Sequence, residues 1–327
     1  MGATTAIKPK TENLIRETVA FDGGNRTIQW IDALGMVHTI PSFIKFIDPT
    51  WQEIQPSHNS VVIEHEGQTF VLGQAAKEED GKPIFEAGKI SLAPKLVLAA
   101  LQPNPGEDVV RIERLLLALP SSRVTEDLEV LKSIEGTHEF TRDGQRIVAT
   151  VGRVVPVDET KAAHARAVKD RLFKSDTKLN GVLDLGGGTA IARLYKTDGS
   201  IKRDMDVILQ GTDALAEAIS ARINHKLGHT AQAWAVMDGI ERGDYAIGEN
   251  GQSFKDAFDD AHAEWLTNIR QKIGSKWKPL NQSGQIGEVL IIGGSAPLAK
   301  PLEELTKGRF FVADMPQVIS IRSMPLL

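Results

Sequence analysis

Strand-like and helix-like segments alternate along this chain of 327 residues, which predicts an α/β protein. A second observation adds the domain plan. A strand, an Asp-x-Gly turn and a β-meander occur twice, around Asp22 and around Asp184, half a chain apart. Solenoid repeats recur at about 20–50 residues, so this spacing predicts two related domains instead. Third, an apolar strand over 289–292 runs into Gly293-Gly294-Ser295 ahead of a helix, the kind of junction at which α/β sheets bind ligands.

The elements follow in order. Residues 18–21 are β-prone, Asp22 to Asn25 is a turn, and 27–31 resumes as a strand; 32–35 turns again into 36–40. Segments 61–64 and 68–72 form a hairpin through Glu66-Gly67. A helix is expected over 93–101, with Pro94 in its first turn and its end before Pro103. Residues 111–119 have the near-continuous apolar character of a buried strand. A helix follows from Thr125, then a strand over 146–157 and a helix over 158–172. The short buried strand 181–185 enters Gly186-Gly187-Gly188, and 190–195 with 201–207 reads as a hairpin around Asp198-Gly199. Beyond Gly211, helices are expected over 212–227, 230–239, 254–277 and 297–306.

Composition removes several function classes. Lys and Arg number 38 against 43 Asp and Glu, a formal charge of -5, so no global basic field exists and direct nucleic-acid binding is not expected. The absence of cysteine excludes disulfides, thiol nucleophiles and iron–sulfur clusters. No apolar stretch reaches the ~20 residues a membrane helix needs. The expectation is a cytoplasmic protein without a membrane partner.

Three motifs carry chemistry. In Phe21-Asp22-Gly23-Gly24-Asn25-Arg26, glycines let backbone amides approach a phosphate, and successive amides form an anion nest. Asp22 beside such a nest repels phosphate but can hold Mg²⁺ or its waters. Read alone, the segment is a hairpin turn. In Leu183-Asp184-Leu185-Gly186-Gly187-Gly188-Thr189, three adjacent glycines weaken a sheet unless something must approach the backbone, and Thr189 adds a hydroxyl. Gly293, Gly294 and Ser295 admit a flat ring or a ribose at the end of a buried strand. Other candidates weigh less: the stripe of Trp265, Leu266, Ile269, Ile273 and Trp277 reads as core.

Together, in this order and spacing, the motifs resemble the two phosphate loops and the adenosine loop of the actin-like ATPase superfamily. The Asp22-Gly23-Gly24-Asn25-Arg26 form is most similar to plasmid-segregation actins of the ParM/StbA type, supported by Thr69-Phe70-Val71-Leu72-Gly73-Gln74-Ala75, Leu117-Ala118-Leu119-Pro120 and Gly239-Ile240-Glu241-Arg242-Gly243. The resemblance covers residues 19–314. It implies a two-domain, duplicated ribonuclease-H-like fold with a nucleotide cleft between the domains. Domain I would span 14–156, with 308–327 returning to it, and domain II 157–307. ATP or GTP with Mg²⁺ would be bound by Gly23, Gly24, Asn25, Arg26, Gly186, Gly187, Gly188, Thr189, Gly211, Gly293, Gly294 and Ser295. Asp22 and Asp184 would hold the metal through water and serve catalysis.

The implied activity is slow nucleotide hydrolysis governing a polar filament that segregates a plasmid through a DNA-binding adaptor. The alternatives are a sugar-kinase-type phosphotransferase and a non-hydrolysing scaffold of the same fold. Two departures from the pattern stand out. Where the superfamily places Glu or Gln after a Pro to orient the attacking water, Pro156 is followed by Val157, leaving Asp158 and Glu159 as candidates or as helix-start charges. The segment 316–327 also lacks the usual small-residue helix closing the first domain, so that face is expected to be covered by something else.

Overall fold

The structure is a computed structural model and describes residues 14–32, 34–48, 50, 58–123, 125–227, 230–248 and 251–327. The chain divides into two compact units: the described residues through Gly23 with Ile28–Leu117 and Arg123–Pro156, and Gly24–Thr27 with Ala118–Ser122 and Val157–Leu327.

In chain order the first half contains β1 (Leu14–Gly23), β2 (Thr27–Ile31), β3 (Val37–Pro41), β4 (Phe43–Ile47), β5 (Ser60–His65), β6 (Gln68–Gly73), α1 (Gln74–Glu78), β7 (Lys82–Pro83), α2 (Ile84–Ala87), α3 (Lys89–Leu96), β8 (Val109–Leu119), α4 (Thr125–Lys132), β9 (Gly136–Arg142) and β10 (Gln145–Asp158). The strands make one ten-stranded sheet in the order β3-β2-β1-β8-β10-β9-β5-β6-β4-β7. The apolar run Leu115–Leu119 of β8 is buried, as a strand between two neighbours requires. β1 pairs antiparallel with β2, Asp22 opposite Gln29, and parallel with β8, Phe21 beside Leu117. Asp22 therefore sits at the carboxyl end of two parallel strands.

The second half contains α5 (Glu159–Lys169), β11 (Leu179–Leu185), β12 (Thr189–Tyr195), β13 (Val207–Gln210), α6 (Thr212–Leu227), α7 (Ala233–Arg242), β14 (Ala246–Ile247), β15 (Gln252–Ser253), α8 (Lys255–Gln282), β16 (Ile286–Ile292), α9 (Lys300–Leu305), β17 (Phe310–Val312) and α10 (Ile319–Ser323). Its five-stranded sheet runs β13-β12-β11-β16-β17. β11 pairs antiparallel with β12 and parallel with β16, just as β1 does with β2 and β8. The internal repeat is thus a repeat of sheet topology. Along β11 the side chains alternate: Val182 packs with Ala163 and Ala167 of α5, while Leu183 and Leu185 join the core under α6 and α8. The Trp265-to-Trp277 stripe of α8 is buried in that second layer, as its spacing predicts.

Four expectations need correction. The helix placed at 93–101 begins at Lys89, after left-handed Gly88, and carries Pro94 in its interior before ending in a 3₁₀ turn at Val97–Ala99. The partner of β12 is 207–210, not 201–207; Ile201 makes only an isolated bridge to Tyr195, because a 3₁₀ turn at Arg203–Met205 intervenes. The β9–β10 hairpin escaped notice although Asp143-Gly144 marks its turn, with Asp143 at positive φ. Lastly, residues 308–327 do not return to the first unit. β17 extends the second sheet through parallel pairing with β16, and Ala313 joins the α5 core beneath Ile319 of α10. Among the described residues no helix is long and apolar enough to cross a membrane.

Candidate functional site

The glycine loop after β11 is built by backbone hydrogen bonds that leave its outer amides available. Gly186 donates to the Thr189 carbonyl at 3.0 Å, closing the turn. The carbonyls of Gly188, Gly186 and Gly187 then accept from Gly211, Thr212 and Asp213 at 3.1, 3.1 and 2.9 Å, stitching the loop to the start of α6. The amides of Gly187 and Gly188 donate to no acceptor among the described residues, and successive amides of this kind can make an anion nest. Gly211 permits the crossing: a Cβ there would collide with the carbonyl oxygens of Gly186 and Gly187. Thr189, at the start of β12, is exposed.

Asp184 lies on the α5 side of β11, half-buried, between Ile191 and Ile292 in register. The loop after β16 packs against it. A Cβ on Gly293, whose φ is +96°, would stand 2.5 Å from Asp184 Oδ1, so glycine is required by both conformation and contact. Gly294 faces open space. Ser295, expected at the nucleoside, is instead buried: its amide donates to Leu185 O, and its hydroxyl pairs with Thr212 Oγ1 at 2.9 Å. It ties the two loops together.

The turn Gly24–Thr27 belongs to the second unit and lies over these glycines. Asn25 covers Gly188 so closely that a Cβ there would strike Asn25 Nδ2, and Arg26 Cγ covers Gly187. Arg26 was expected at the nucleotide. Its guanidinium is committed elsewhere, with Nε on Glu241 Oε1 at 2.9 Å and Nη2 on Asp238 Oδ1 at 3.2 Å, both carboxylates from α7. Asp213, which no motif marked, also lines this turn. Burial raises its carboxyl above the ordinary range, opposed by the charge of Arg26.

In the first unit, Asp22 has one oxygen, Oδ1, sealed from solvent without a hydrogen-bond partner. Burial raises its carboxyl, and the charge of Lys89 at the start of α3 opposes that shift. Lys89 carries no sequence signal. Gly23, its neighbour in the motif, is buried with its Cα toward Phe21 and Lys89.

Asp158, a candidate for orienting the attacking water, is engaged by other partners. It occupies the N-cap position of α5 without capping it, because its carboxylate turns into a buried ion network. Oδ2 accepts from Arg203 Nη2 at 2.6 Å and from the Ser122 hydroxyl at 3.2 Å; Oδ1 accepts from the Ser122 amide and lies 3.6 Å from Arg193 Nη1. Burial would raise its pKa, but the hydrogen bond from Arg203 and those of Ser122 hold it below the usual range. Arg193 also donates to Asp206, Thr160 and the Pro120 carbonyl. Helix-start acids and ion-network acids look alike in sequence, so this network leaves no signal there. Glu159, half-buried, begins α5.

Each unit by itself offers a group suited to a magnesium nucleotide: in the second, the Gly187 and Gly188 amides without an acceptor among the described residues suit a phosphate, and in the first, the orphaned Asp22 oxygen suits a metal ion acting through water. Among the described residues no three His, Cys, Asp or Glu side chains cluster. A lone carboxylate acting through water suits Mg²⁺, which keeps most of its waters and takes phosphate oxygens.

No family profile and no curated relative matches the chain. Solved structures do. An apo ParM of pSK41 is 18% identical, covers 94% of this chain and 95% of its own, and superposes with a TM-score of 0.69. The ParM of a 15-stranded filament from Clostridium botulinum is 17% identical over 96% of this chain and 99% of its own, with a TM-score of 0.75. Ta0583, an archaeal actin homologue, solved also as a complex with ADP, is 14% identical in that complex, over 95% of this chain and 98% of its own, with a TM-score of 0.69. The chain has the two-domain actin-like fold of the ParM type.

Proposed function

We propose that this chain is a nucleotide-dependent, filament-forming actin-like protein that hydrolyses ATP or GTP to control its polymer, in the service of plasmid or DNA segregation through a DNA-binding adaptor. One observation carries the reading: two glycine loops converge beside Asp184, the carbonyls of one bonded to the start of α6 and two amides left to bind an anion. The actin-like fold and the ADP complex and filament of its structural neighbours support it.

In this reading Gly187, Gly188 and Asn25 hold phosphate oxygens, and Gly293 and Gly294 leave room for the nucleoside. Gly211 and Ser295 position the loops. Holding Mg²⁺ through water is the role proposed for Asp184 in the second unit and for Asp22 in the first; the bound ion supplies positive charge that offsets the phosphate oxygens. Glu159 remains as the acid to orient water. With Asp158 withdrawn into its ion network, a non-hydrolysing ATP-binding scaffold is the second reading. MgATP at millimolar concentration should raise the melting temperature by mass action, and chelation should reverse most of the shift. Sedimentation with each nucleotide then tests for filaments. Absence of any shift overturns nucleotide binding; discrete oligomers that phosphorylate a sugar overturn the filament reading.

A further inference from the structure

At the other end of β11 from the glycine loops lies a cavity of about 910 Å³, within the range of small-molecule sites. β11 has seven residues, so its two ends are ~20 Å apart. Five cationic side chains line the cavity: Lys161 of α5, Arg171 just beyond it, Lys174 and Lys178 on the approach to β11, and Lys196 after β12. Two acidic side chains, Asp176 and Asp198, line it with them, and Leu327 also borders it. None of the five cations makes an ion pair or side-chain hydrogen bond among the described residues. Lys196 acts on the carboxylate of nearby Asp198, and the remaining concentration of positive charge belongs to a chain whose net charge is -5.

Two buried rings, His164 and Tyr195, form its floor. His164 is 5% exposed and lies flat on Tyr195, ring centroids 3.9 Å apart. Neither imidazole nitrogen has a hydrogen-bond partner among the described residues, although the ring borders the cavity. Burial lowers its pKa to about 4, so near neutral pH the ring is uncharged and presents one donor and one acceptor. The hydroxyl of Tyr195 is turned away to Thr160 at 2.7 Å. Arg171 is held at φ +56°, where α5 ends with Leu172 donating to Ala167 O and Arg171 to Val168 O. Glycine is the residue that takes this position without steric cost, and here an arginine takes it at the cavity rim.

We propose that this cavity is a binding site for a small polyanion bearing two or more phosphoryl groups, separate from the glycine-loop site. Cations around a rim match multiple phosphoryl oxygens through charge-assisted hydrogen bonds, and a neutral donor on the floor completes the contact. The volume of the cavity and the buried imidazole that borders it favour a small ligand over an acidic polypeptide lying across the surface.

The test is a titration of the full chain with inorganic tripolyphosphate, followed through the ring resonances of His164, which are assigned by their loss in His164→Asn. They should shift saturably, and the apparent affinity should fall at least about tenfold in Lys174→Glu/Lys178→Glu. The milder Lys174→Ala/Lys178→Ala should weaken it in the same direction, with the melting temperature of each variant checked against the parent. His164 resonances that do not move, or that move equally in the charge-reversed variant, overturn the proposal. Tighter binding of a glutamate hexapeptide than of tripolyphosphate also overturns it, in favour of an acidic polypeptide.

Discussion

Arg26 donates from Nε to Glu241 Oε1 at 2.9 Å across 215 positions of sequence, and its Nη2 reaches Asp238 Oδ1 at 3.2 Å. This clamp fixes the turn that covers Gly187 and Gly188, so an arginine in the first motif acts on the second motif's loop through α7. The two carboxylates differ in exposure, Asp238 at 22% and Glu241 at 55%.

Solvent screening should therefore rank them. A double-mutant cycle between Arg26→Ala and Asp238→Ala should give a coupling of ~1 kcal/mol, and that with Glu241→Ala ~0.5 kcal/mol or less. Denaturant unfolding measures both. Equal couplings would mean that the exposed partner is as firmly held as the sheltered one.

Glycines 211 and 294 should behave oppositely. Gly211→Ala drives a methyl into backbone carbonyls that cannot swing aside, and should cost ~1–3 kcal/mol or more. Gly294→Ala adds a methyl in open space and should change stability by no more than ~0.5 kcal/mol. If the nucleoside lies at Gly294, that same substitution should weaken nucleotide binding. Thermal melts with and without MgATP separate the two effects.

The Asp158 network sets an acid dependence with two opposing parts. The folded pKa of Asp158 lies below its ordinary 3.8, so its stabilisation is complete above that value and fades as pH falls through the depressed folded pKa. Asp206 is raised, chiefly by burial, despite Arg193. Its contribution is present in full below 3.8 and is lost as pH rises through the folded pKa. Asp158→Asn leaves Arg193 and Arg203 short of charge and should cost ~3–5 kcal/mol at pH 7. Asp206→Asn should cost less and flatten the slope of melting temperature above pH 4. The reverse ranking would show that Asp206 contributes more to this network than Asp158 does.

The repeat of topology was legible because strand–turn–meander patterns depend on local residue order, and both Asp-x-Gly turns fall at strand ends as expected. Gly293 was legible as the glycine that ends an apolar strand, though its clearance beside Asp184 is a tertiary contact. What escaped depends on distant partners. Nothing near Asp158 announces Arg203, and nothing near Asp22 announces Lys89. The 308–327 segment was assigned by resemblance; the β17 pairing and the packing under α10 that place it in the second unit are tertiary facts. Arg26 stood in a legible motif, though its partners on α7 left no signal there.

Asp184 supplies the last test. Its carboxylate is half-buried at the end of β11, with Gly293 against one oxygen, a position that suits holding water or metal beside the loop amides. Asp184→Ala removes the carboxylate but leaves the amides of Gly187 and Gly188 in place. Nucleotide should still bind, more weakly, while hydrolysis falls by ~10²-fold or more, the scale of lost base or metal positioning. If hydrolysis times disassembly, filaments of the variant should persist after ATP addition while those of the parent decay. Glu159→Gln is the companion. With Asp158 locked to Arg203, it is the remaining acid at that junction and should reproduce the persistent filaments if it orients the water. Asp158→Asn should instead lower stability before it touches turnover. Phosphate release, sedimentation and thermal melts on the three variants decide among these roles. A normal hydrolysis rate in Asp184→Ala would make the second glycine loop structural and remove the proposed chemistry from it.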